Sequence, residues 1–157
     1  MRRPFVRKKK EDGSKYHSKK VEYNGMMFDS QNELNRYLYL LSLQKEGKIS
    51  CLRRQTPFVL IPKTTRVEAR QLKTKVKYVT KITEFPASYH NDFTYIENGI
   101  YVSEEYKSKM TSKLADYILR RKLMVRKIYD HNKKGRSKWI FREVVFHNKK
   151  KTVITDK

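Results

Sequence analysis

An Asn-Gly pair at residues 98 and 99 limits what this chain can fold into more than any other feature. It separates two runs rich in aromatic and β-branched residues, 89–96 and 100–107. A two-residue hairpin turn needs positive φ at both positions, and Asn and Gly adopt positive φ readily. The sequence therefore predicts an antiparallel β-hairpin whose turn is formed by Asn98 and Gly99.

The predicted turn decides which side chains share a face of the hairpin. Counting outward from a two-residue loop places Asp92 directly opposite Glu105, and strand alternation puts Lys107 on the same face. A slip of one residue would separate the two acids. The other face carries Glu104 and most of the apolar residues of the hairpin, which are Phe93, Tyr95, Val102 and Tyr106. Glu104 is therefore the poorer candidate for a metal ligand.

Two carboxylates that oppose each other across a strand pair repel. Their β-carbons would be about 4.5–5.5 Å apart, and the repulsion grows when the pair loses contact with water. A shared proton, a basic neighbour such as Lys107 or a divalent cation such as Mg²⁺ or Mn²⁺ could offset it. The alternative is a pair of solvated acids that form salt bridges to nearby lysines, and the spacing alone leaves both interpretations open.

A helix is predicted before the hairpin. Ser30 is a favoured N-cap, and Glu33 three residues later fits a capping box. Apolar residues then recur with helical spacing at Leu34, Tyr37, Leu38 and Leu41. Gly47 is expected to end the helix. A short strand over 21–28, broken by a turn at Asn24-Gly25, is predicted ahead of it.

The remaining chain predicts further strands and a second helix. The run 57–62, PFVLIP, is typical of a buried strand, and 76–82 of a half-buried strand with a basic outer face. Residues 63–74 are polar and basic, and we expect a loop there. A basic amphipathic helix is predicted over 111–128 and a last strand over 138–146.

These elements predict an α/β fold in which helices cover both faces of a mixed β-sheet. Their order is a helix, three core strands, a helix and a strand. We expect a single domain over 21–148, a basic flexible arm over 1–20 and a loose basic tail over 149–157.

The charge of the chain points to a polyanionic partner. The sequence contains 38 Lys and Arg against 16 Asp and Glu, for a formal net charge of +22. A polyanion relieves the mutual repulsion and releases its own counterions, so nucleic acid is the expected partner. A structural nucleic-acid binder without chemistry would have the same composition. The candidate phosphate contacts are Lys15, Lys19, Lys20, Arg53, Arg54 and Gln55.

Several classes of protein are not expected. Cys51 is the only cysteine, so no internal disulfide can form, which agrees with a reducing cytoplasm. No apolar run approaches the roughly 20 residues that a membrane helix needs, and the basic N-terminus is not followed by the apolar stretch of a secretory signal. No Gly-rich phosphate loop is present, so no nucleotide cofactor is expected.

Three segments of the sequence resemble a known family. They are FDSQNELNRYLYLLSLQKEGKI, PFVLIP and YHNDFTYIENGIYVSEEYKSK, within a stretch from Lys15 to Tyr129. The likeness is to small bacteriophage proteins assigned to the PD-(D/E)XK nuclease superfamily and related to Holliday-junction resolvases. It implies a restriction-endonuclease-like core and, for a phage-encoded protein, the cytoplasm of the host bacterium.

The resemblance also implies roles for individual residues. Asp92 and Glu105 would bind Mg²⁺ or Mn²⁺ with the main-chain carbonyl of Tyr106, and Lys107 would be the catalytic lysine. Glu33 matches an acid that many members carry on the first helix, although its position equally fits a helix cap. The third-strand segment EEYKS departs from the usual EDVKG, since Glu105 replaces Asp and Ser108 replaces Gly.

The function expected from these observations is a Mg²⁺-dependent endodeoxyribonuclease. The resemblance implies branched DNA, such as a Holliday junction, as the substrate. Cutting both strands of a symmetric junction requires two active sites, so a C2 homodimer is the expected assembly. The alternatives are a non-catalytic nucleic-acid-binding protein with the same fold and a restriction-like or transposase-like nuclease with another DNA substrate.

Overall fold

The computed structural model describes residues 19–135, 137–147 and 150–156. These residues form nine strands, two α-helices and one 3-10 turn. In chain order the elements are β1 Val21–Tyr23, β2 Met26–Phe28, α1 Gln31–Lys45, β3 Ile49–Ile61, β4 Thr64–Gln71, β5 Val76–Glu84, β6 Ala87–Glu97, β7 Ile100–Ser108, the 3-10 turn Thr111–Lys113, α2 Ala115–Asn132, β8 Trp139–His147 and β9 Lys150–Asp156.

The centre of the fold is a mixed five-stranded sheet with the strand order β3-β6-β7-β8-β9. Strands β7 and β8 are parallel, whereas the other neighbours are antiparallel. A parallel pair needs a long crossover, and α2 lies in the connection between β7 and β8. The predicted α/β class and mixed sheet are thus confirmed. No helix among the described residues is long and apolar enough to cross a lipid bilayer.

The hairpin formed by β6 and β7 has the predicted register. Glu97 pairs with Ile100, and the pairing continues without a slip to Phe93 and Glu104. Asn98 has φ of 50° and Gly99 has φ of 76°, as the two-residue turn requires. The turn therefore fixes the alignment of the two strands as far as Phe93 and Glu104, one residue short of Asp92 and Glu105.

The two helices pack on opposite faces of the sheet. Leu40 of α1 belongs to a core cluster with Val102 and Val144. Met124 of α2 belongs to a second cluster with Phe141. Val144 and Phe141 are three residues apart on β8, so strand alternation directs them to opposite faces. The prediction of helices on both faces is therefore confirmed.

Buried ion pairs accompany both clusters. On the α1 side, the Arg36 guanidinium donates to both oxygens of Glu104, at 2.7 and 2.8 Å, and the Tyr95 hydroxyl donates to the same carboxylate at 2.6 Å. On the α2 side, Arg121 donates to Glu143 at 2.6 Å. In the sequence Arg121 interrupts the apolar stripe of α2. The reason is that its guanidinium faces the buried Glu143 carboxylate. Each buried acid is thus held by a specific cation.

Several predicted elements were wrong or incomplete. Residues 63–74, expected as a loop, contain the whole of β4, which pairs with β5. Both faces of these two strands are largely exposed, so no burial pattern marks them in the sequence. Residues 149–157, expected as a loose tail, contain β9, which pairs with β8 and includes four consecutive β-branched residues over 152–155.

The predicted order of six elements is also shorter than the observed one. Two strands precede α1, five strands separate the helices and two strands follow α2. Strand β3 begins at Ile49, not at Pro57, and Leu114 separates a 3-10 turn from α2. The predicted arm lies outside the described residues except for Lys19 and Lys20, which are exposed.

The Arg36–Glu104 pair is expected to be essential for stability. Glu104→Gln leaves a guanidinium that is 10% exposed without its counterion, so the free energy of unfolding should fall by about 3–5 kcal/mol. Urea denaturation measures this change. In the matched control Asp130→Asn, the exposed pair with Arg126 is lost, and the change should stay below about 0.5 kcal/mol. Similar effects of the two substitutions would contradict the assignment.

Candidate active site

The predicted acids and lysine lie at a cleft of about 520 Å³ between the start of α1 and the main sheet. Its lining residues are Asp29, Ser30, Asn32, Glu33, Asp92, Tyr106, Lys107, Ser108, Thr111 and Phe146. The structure thus brings Glu33, Asp92 and Lys107 together from α1, β6 and β7. Glu105 lies directly beneath, in contact with Lys107.

A break in strand β6 creates the site. Tyr89 belongs to the cluster on the α2 face, whereas Phe93 belongs to the cluster on the α1 face, although both have odd numbers. Asn91 donates to Ser103 Oγ at 3.1 Å, and Ser103 pairs with Thr94, so the Asn91 side chain lies on the face opposite the Phe93 ring. The alternation of side chains therefore slips by one residue at Asp92. Irregular positions of this kind re-aim a side chain and often lie beside functional sites.

The same irregularity extends into the neighbouring strand. Residues on either side of Gln55 in β3 pair with residues on either side of Asp92, and Gln55 itself has φ of 47°. Positive φ is uncommon for a non-glycine residue. Both β3 and β6 therefore deviate from regular strand geometry at the position of Asp92.

Asp92 supplies a hydrogen-bond acceptor to β7 at the point where β6 no longer pairs with that strand. Its Oδ2 atom accepts the main-chain N–H of Tyr106 at 2.8 Å, in the place where a carbonyl of β6 would otherwise accept. In an antiparallel pair, the N–H and C=O of a hydrogen-bonded residue face the same neighbour. The Tyr106 carbonyl, like its N–H, is therefore directed towards β6, the strand that carries Asp92.

Lys107 bridges the two acids of the hairpin. Its Nζ atom lies 2.5 Å from Glu105 Oε1 and 3.4 Å from Asp92 Oδ2. Glu105 is 2% exposed, and its Oε2 atom accepts no hydrogen bond of regular geometry among the described residues, although the Tyr89 hydroxyl lies close enough to interact with the carboxylate. Of the arrangements that could offset the repulsion between the acids, the basic neighbour is the one that these contacts show.

Burial and mutual charge shift the protonation equilibria of this group. Burial, together with the negative charge of Asp92, raises the pKa of Glu105 to about 7. Burial also raises the pKa of Asp92. Burial acts to lower the pKa of Lys107, but the carboxylates of Glu105 and Asp92 outweigh it and raise that pKa. The lysine is thus held as a cation, and an additional positive charge would favour the ionised form of both acids.

Glu33 is tied to the first turn of α1. Its Oε2 atom accepts the main-chain N–H of Asp29 at 2.9 Å, and its own N–H donates to Ser30 Oγ at 3.1 Å. The first bond lies one residue earlier than in a standard capping box. Its Oε1 atom has no hydrogen-bond partner among the described residues and lies 3.6 Å from Arg54 Nη2. Burial raises the pKa of Glu33, and the charge of Asp92 adds to this effect.

The residues present suit a hard divalent cation. Asp92 and Glu105 offer carboxylate oxygens, of which Glu105 Oε2 is buried without a partner, and Tyr106 offers a carbonyl. Within the described ranges, no three His, Cys, Asp or Glu side chains form a group that could hold a metal. Magnesium in nucleotide and nucleic-acid sites is often bound by only one or two carboxylates, with water and substrate phosphate completing its shell. Two acids and a carbonyl agree with that pattern.

The predicted phosphate contacts differ in their availability. Lys19, Lys20 and Arg53 are exposed, and Lys20 lies 3.9 Å from Asp29. The Arg54 guanidinium instead packs 3.6 Å over the Phe28 ring and donates to the main-chain carbonyl of Met27. Gln55 is exposed within β3, and Lys15 lies outside the described residues.

Two residues near the acids were missed from the sequence. Glu143 lies beside Glu105 in the parallel register of β7 and β8, is 2% exposed and accepts the Tyr117 hydroxyl at 2.7 Å. Tyr89 is buried close to Glu105, whose charge adds to burial in raising the pKa of the phenol. An acid inside the apolar run WIFREVVF was the signal for Glu143, whereas Tyr89 resembled ordinary core.

The comparisons with known proteins identify a family without a described activity. No curated protein and no solved structure matches the chain. A family model described as "Protein of unknown function (DUF1064)" matches residues 13–148, which is most of the sequence. The chain therefore belongs to this DUF1064 family.

Proposed function

We propose that the chain is a metal-dependent endodeoxyribonuclease of the PD-(D/E)XK type. One observation carries the proposal: a single ammonium group lies against the buried carboxylate of Glu105 and the partly buried carboxylate of Asp92, beside an open cleft where β6 separates from β7. Perturbed titratable groups that converge in a cleft are typical of catalytic sites. The basic character of the chain supports a polyanionic substrate.

In this proposal, Asp92, Glu105 and the Tyr106 carbonyl hold Mg²⁺ or Mn²⁺. When bound, such a cation supplies Lewis-acid stabilisation of the phosphate and lowers the pKa of a coordinated water. Lys107 stays protonated and is placed to donate to a phosphate oxygen or to orient the attacking water. Glu33 forms the wall of the cleft beside Asp92 and fixes the start of α1.

The proposed substrate is branched DNA, such as a Holliday junction, in the DNA metabolism of a bacteriophage. The resemblance of the segments around Glu33, Asp92 and Glu105 to phage resolvase-like nucleases supports this choice. A C2 homodimer would present two active sites to the two strands of a junction. The proposed location is the cytoplasm of the host bacterium.

A second candidate function is a nucleic-acid-binding protein that does not cut. The observation that favours it is the position of Lys107, whose ammonium already compensates both acids without any other cation. A site of this kind is electrostatically complete and would need no metal. The two functions differ in what they predict for cleavage and for metal binding.

Asp92→Asn is expected to abolish cleavage of a labelled four-way junction in Mg²⁺. The loss should exceed about 100-fold, because the change replaces a charged proposed ligand by a neutral amide, whose oxygen can still accept the Tyr106 N–H. Binding in chelator should be kept or strengthened, because negative charge is removed near phosphate. Gel assays of cleavage and of binding measure the two effects.

Asp116→Asn is the matched control, since Asp116 is exposed on α2 and paired with Arg120. It removes the same charge and should leave cleavage unchanged. Wild-type cleavage that persists in chelator would exclude the metal mechanism. If the wild-type protein cuts neither junction, linear duplex nor single strand, the binding function is favoured instead.

Lys107→Met is expected to make the fold more responsive to divalent cations. Without the ammonium, the two buried carboxylates repel, so a bound cation gains more from them than in the wild type. In thermal unfolding, Mn²⁺ should raise the midpoint temperature of Lys107→Met more than that of the wild type. At an Mn²⁺ concentration of 100 times Kd, the folded state gains about 2.7 kcal/mol of stability.

Lys109→Met, two residues further along and exposed, should respond to Mn²⁺ as the wild type does. Adding Asp92→Asn and Glu105→Gln to Lys107→Met should remove the response. An equal response in all these variants would show that Mn²⁺ binds elsewhere on the chain.

A further inference from the structure

Strands β4 and β5 form a ribbon that is separate from the main sheet. They pair only with each other, over eight cross-strand positions from Thr64–Glu84 to Gln71–Val76. Within the two strands only Glu68 and Val79 are partly covered, and the other residues are exposed. A two-stranded ribbon is marginally stable by itself in water, so contact with a partner would stabilise it.

The ribbon has one apolar and one basic face. The register places Val67, Tyr78 and Ile82 on one face, where they are 66%, 72% and 47% exposed. The other face carries two pairs of directly opposed cations, which are Arg66 with Lys81 and Arg70 with Lys77. The charge of the two strands is therefore directed to one side.

The two cation pairs have different surroundings. Glu68 lies between Arg66 and Lys81, at 2.5 and 2.6 Å, and compensates the pair nearer the main sheet. Arg70 and Lys77 make no ion pair with any residue that the structure describes. Like charges directly across a strand pair destabilise it. The repulsion between Arg70 and Lys77 thus destabilises the ribbon, and an anionic partner would relieve this repulsion.

The turn that joins the strands adds to this uncompensated charge. The segment 70–77, RQLKTKVK, has four cations and no acid, with Lys73 and Lys75 beside the turn. The turn is closed by a hydrogen bond from the Leu72 N–H to the Lys75 carbonyl at 2.8 Å. We call residues 70–77 the basic tip. Its charges are presented on a folded hairpin end.

We propose that the basic tip binds duplex DNA, with the ribbon lying in the major groove. A two-stranded ribbon fits the B-form major groove, which is about 12 Å wide. An eight-residue strand extends about 27 Å at roughly 3.4 Å per residue, so the ribbon can follow the groove for much of a turn. The major groove of duplex RNA is too narrow for such an element. The contact does not depend on cleavage.

The test compares the double variant Arg70→Gln/Lys77→Gln with the wild type. Binding to a fluorescent linear DNA duplex is measured by anisotropy in chelator, between about 50 and 200 mM salt. Loss of two phosphate contacts should reduce the slope of log K against log salt by about two. Because no metal is present, the result is independent of whether the proposed nuclease cuts.

The matched control is Arg120→Gln/Arg126→Gln, which removes two arginines that are already paired with acids on α2. Its slope should equal that of the wild type. The charge-preserving variant Arg70→Lys/Lys77→Arg should also keep the slope, which separates charge from folding of the ribbon. Circular dichroism checks that each variant retains its fold.

Three outcomes would overturn the proposal. One is an equal change of slope in the tip variant and in the α2 control. Another is a loss of binding in Tyr78→Ser but not in the tip variant, which would assign the contact to the apolar face. The third is binding to duplex RNA that is as tight as to DNA and equally sensitive to the tip variant, which would exclude insertion into a B-form groove.

Discussion

Two adjacent buried carboxylates on β7 each need a cation, and the two cations must lie on opposite faces of the sheet. The arrangement of the fold depends on this requirement. Glu104 and Glu105 point to opposite faces of the central sheet, and each is at most 2% exposed. An unpaired buried charge costs several kcal/mol, so each acid must meet a cation that approaches from its own side. Arg36 of α1 meets Glu104, and Lys107 meets Glu105 from two residues further along β7. The first pair holds a helix on the sheet, whereas the second forms the candidate site.

The difference between the two pairs explains why only one of them is a plausible reaction centre. Both oxygens of Glu104 accept short hydrogen bonds, and its guanidinium partner is 10% exposed, so that pair is satisfied and closed. Glu105 has one oxygen without a partner, and its lysine also serves Asp92. A carboxylate that shares its cation and keeps an unused acceptor can exchange partners when a ligand arrives. Glu104 has no such freedom.

The parts of the site that depend on local chemistry could be predicted from the sequence. The Asn98-Gly99 turn aligns β6 and β7 as far as Phe93 and Glu104, and strand alternation puts Glu105 and Lys107 on one face of β7, since both are properties of neighbouring residues. The predicted direct pairing of Asp92 with Glu105 is not part of the observed register. The slip at Asp92 could not be predicted, because it involves a positive φ at Gln55 on another strand. The resemblance gave the roles of the residues, not their contacts.

Errors in the fold have a related cause. A strand shows in a sequence when one face is apolar and the other is polar. Strand β4 lacks this pattern because both of its faces are exposed, and β9 lacks it because it lies at the edge of the sheet. The sequence pattern also could not reveal Arg36 inside the protein, because the acid that compensates it is 68 residues away. The length of a ribbon and the partner of a buried charge are set by contacts that sequence spacing does not encode.

The placement of the acids leaves four of them in internal ion pairs, away from the surface charge. Glu33, Glu104, Glu105 and Glu143 are buried, and their charges are directed towards internal arginines and a lysine. Each internal pair cancels in charge, so the positive excess among the described residues lies on their remaining side chains. Such an excess attracts polyanions over roughly a Debye length. The acids at the cleft therefore lie within a positive field, which in the proposed nuclease would draw the phosphodiester backbone towards them.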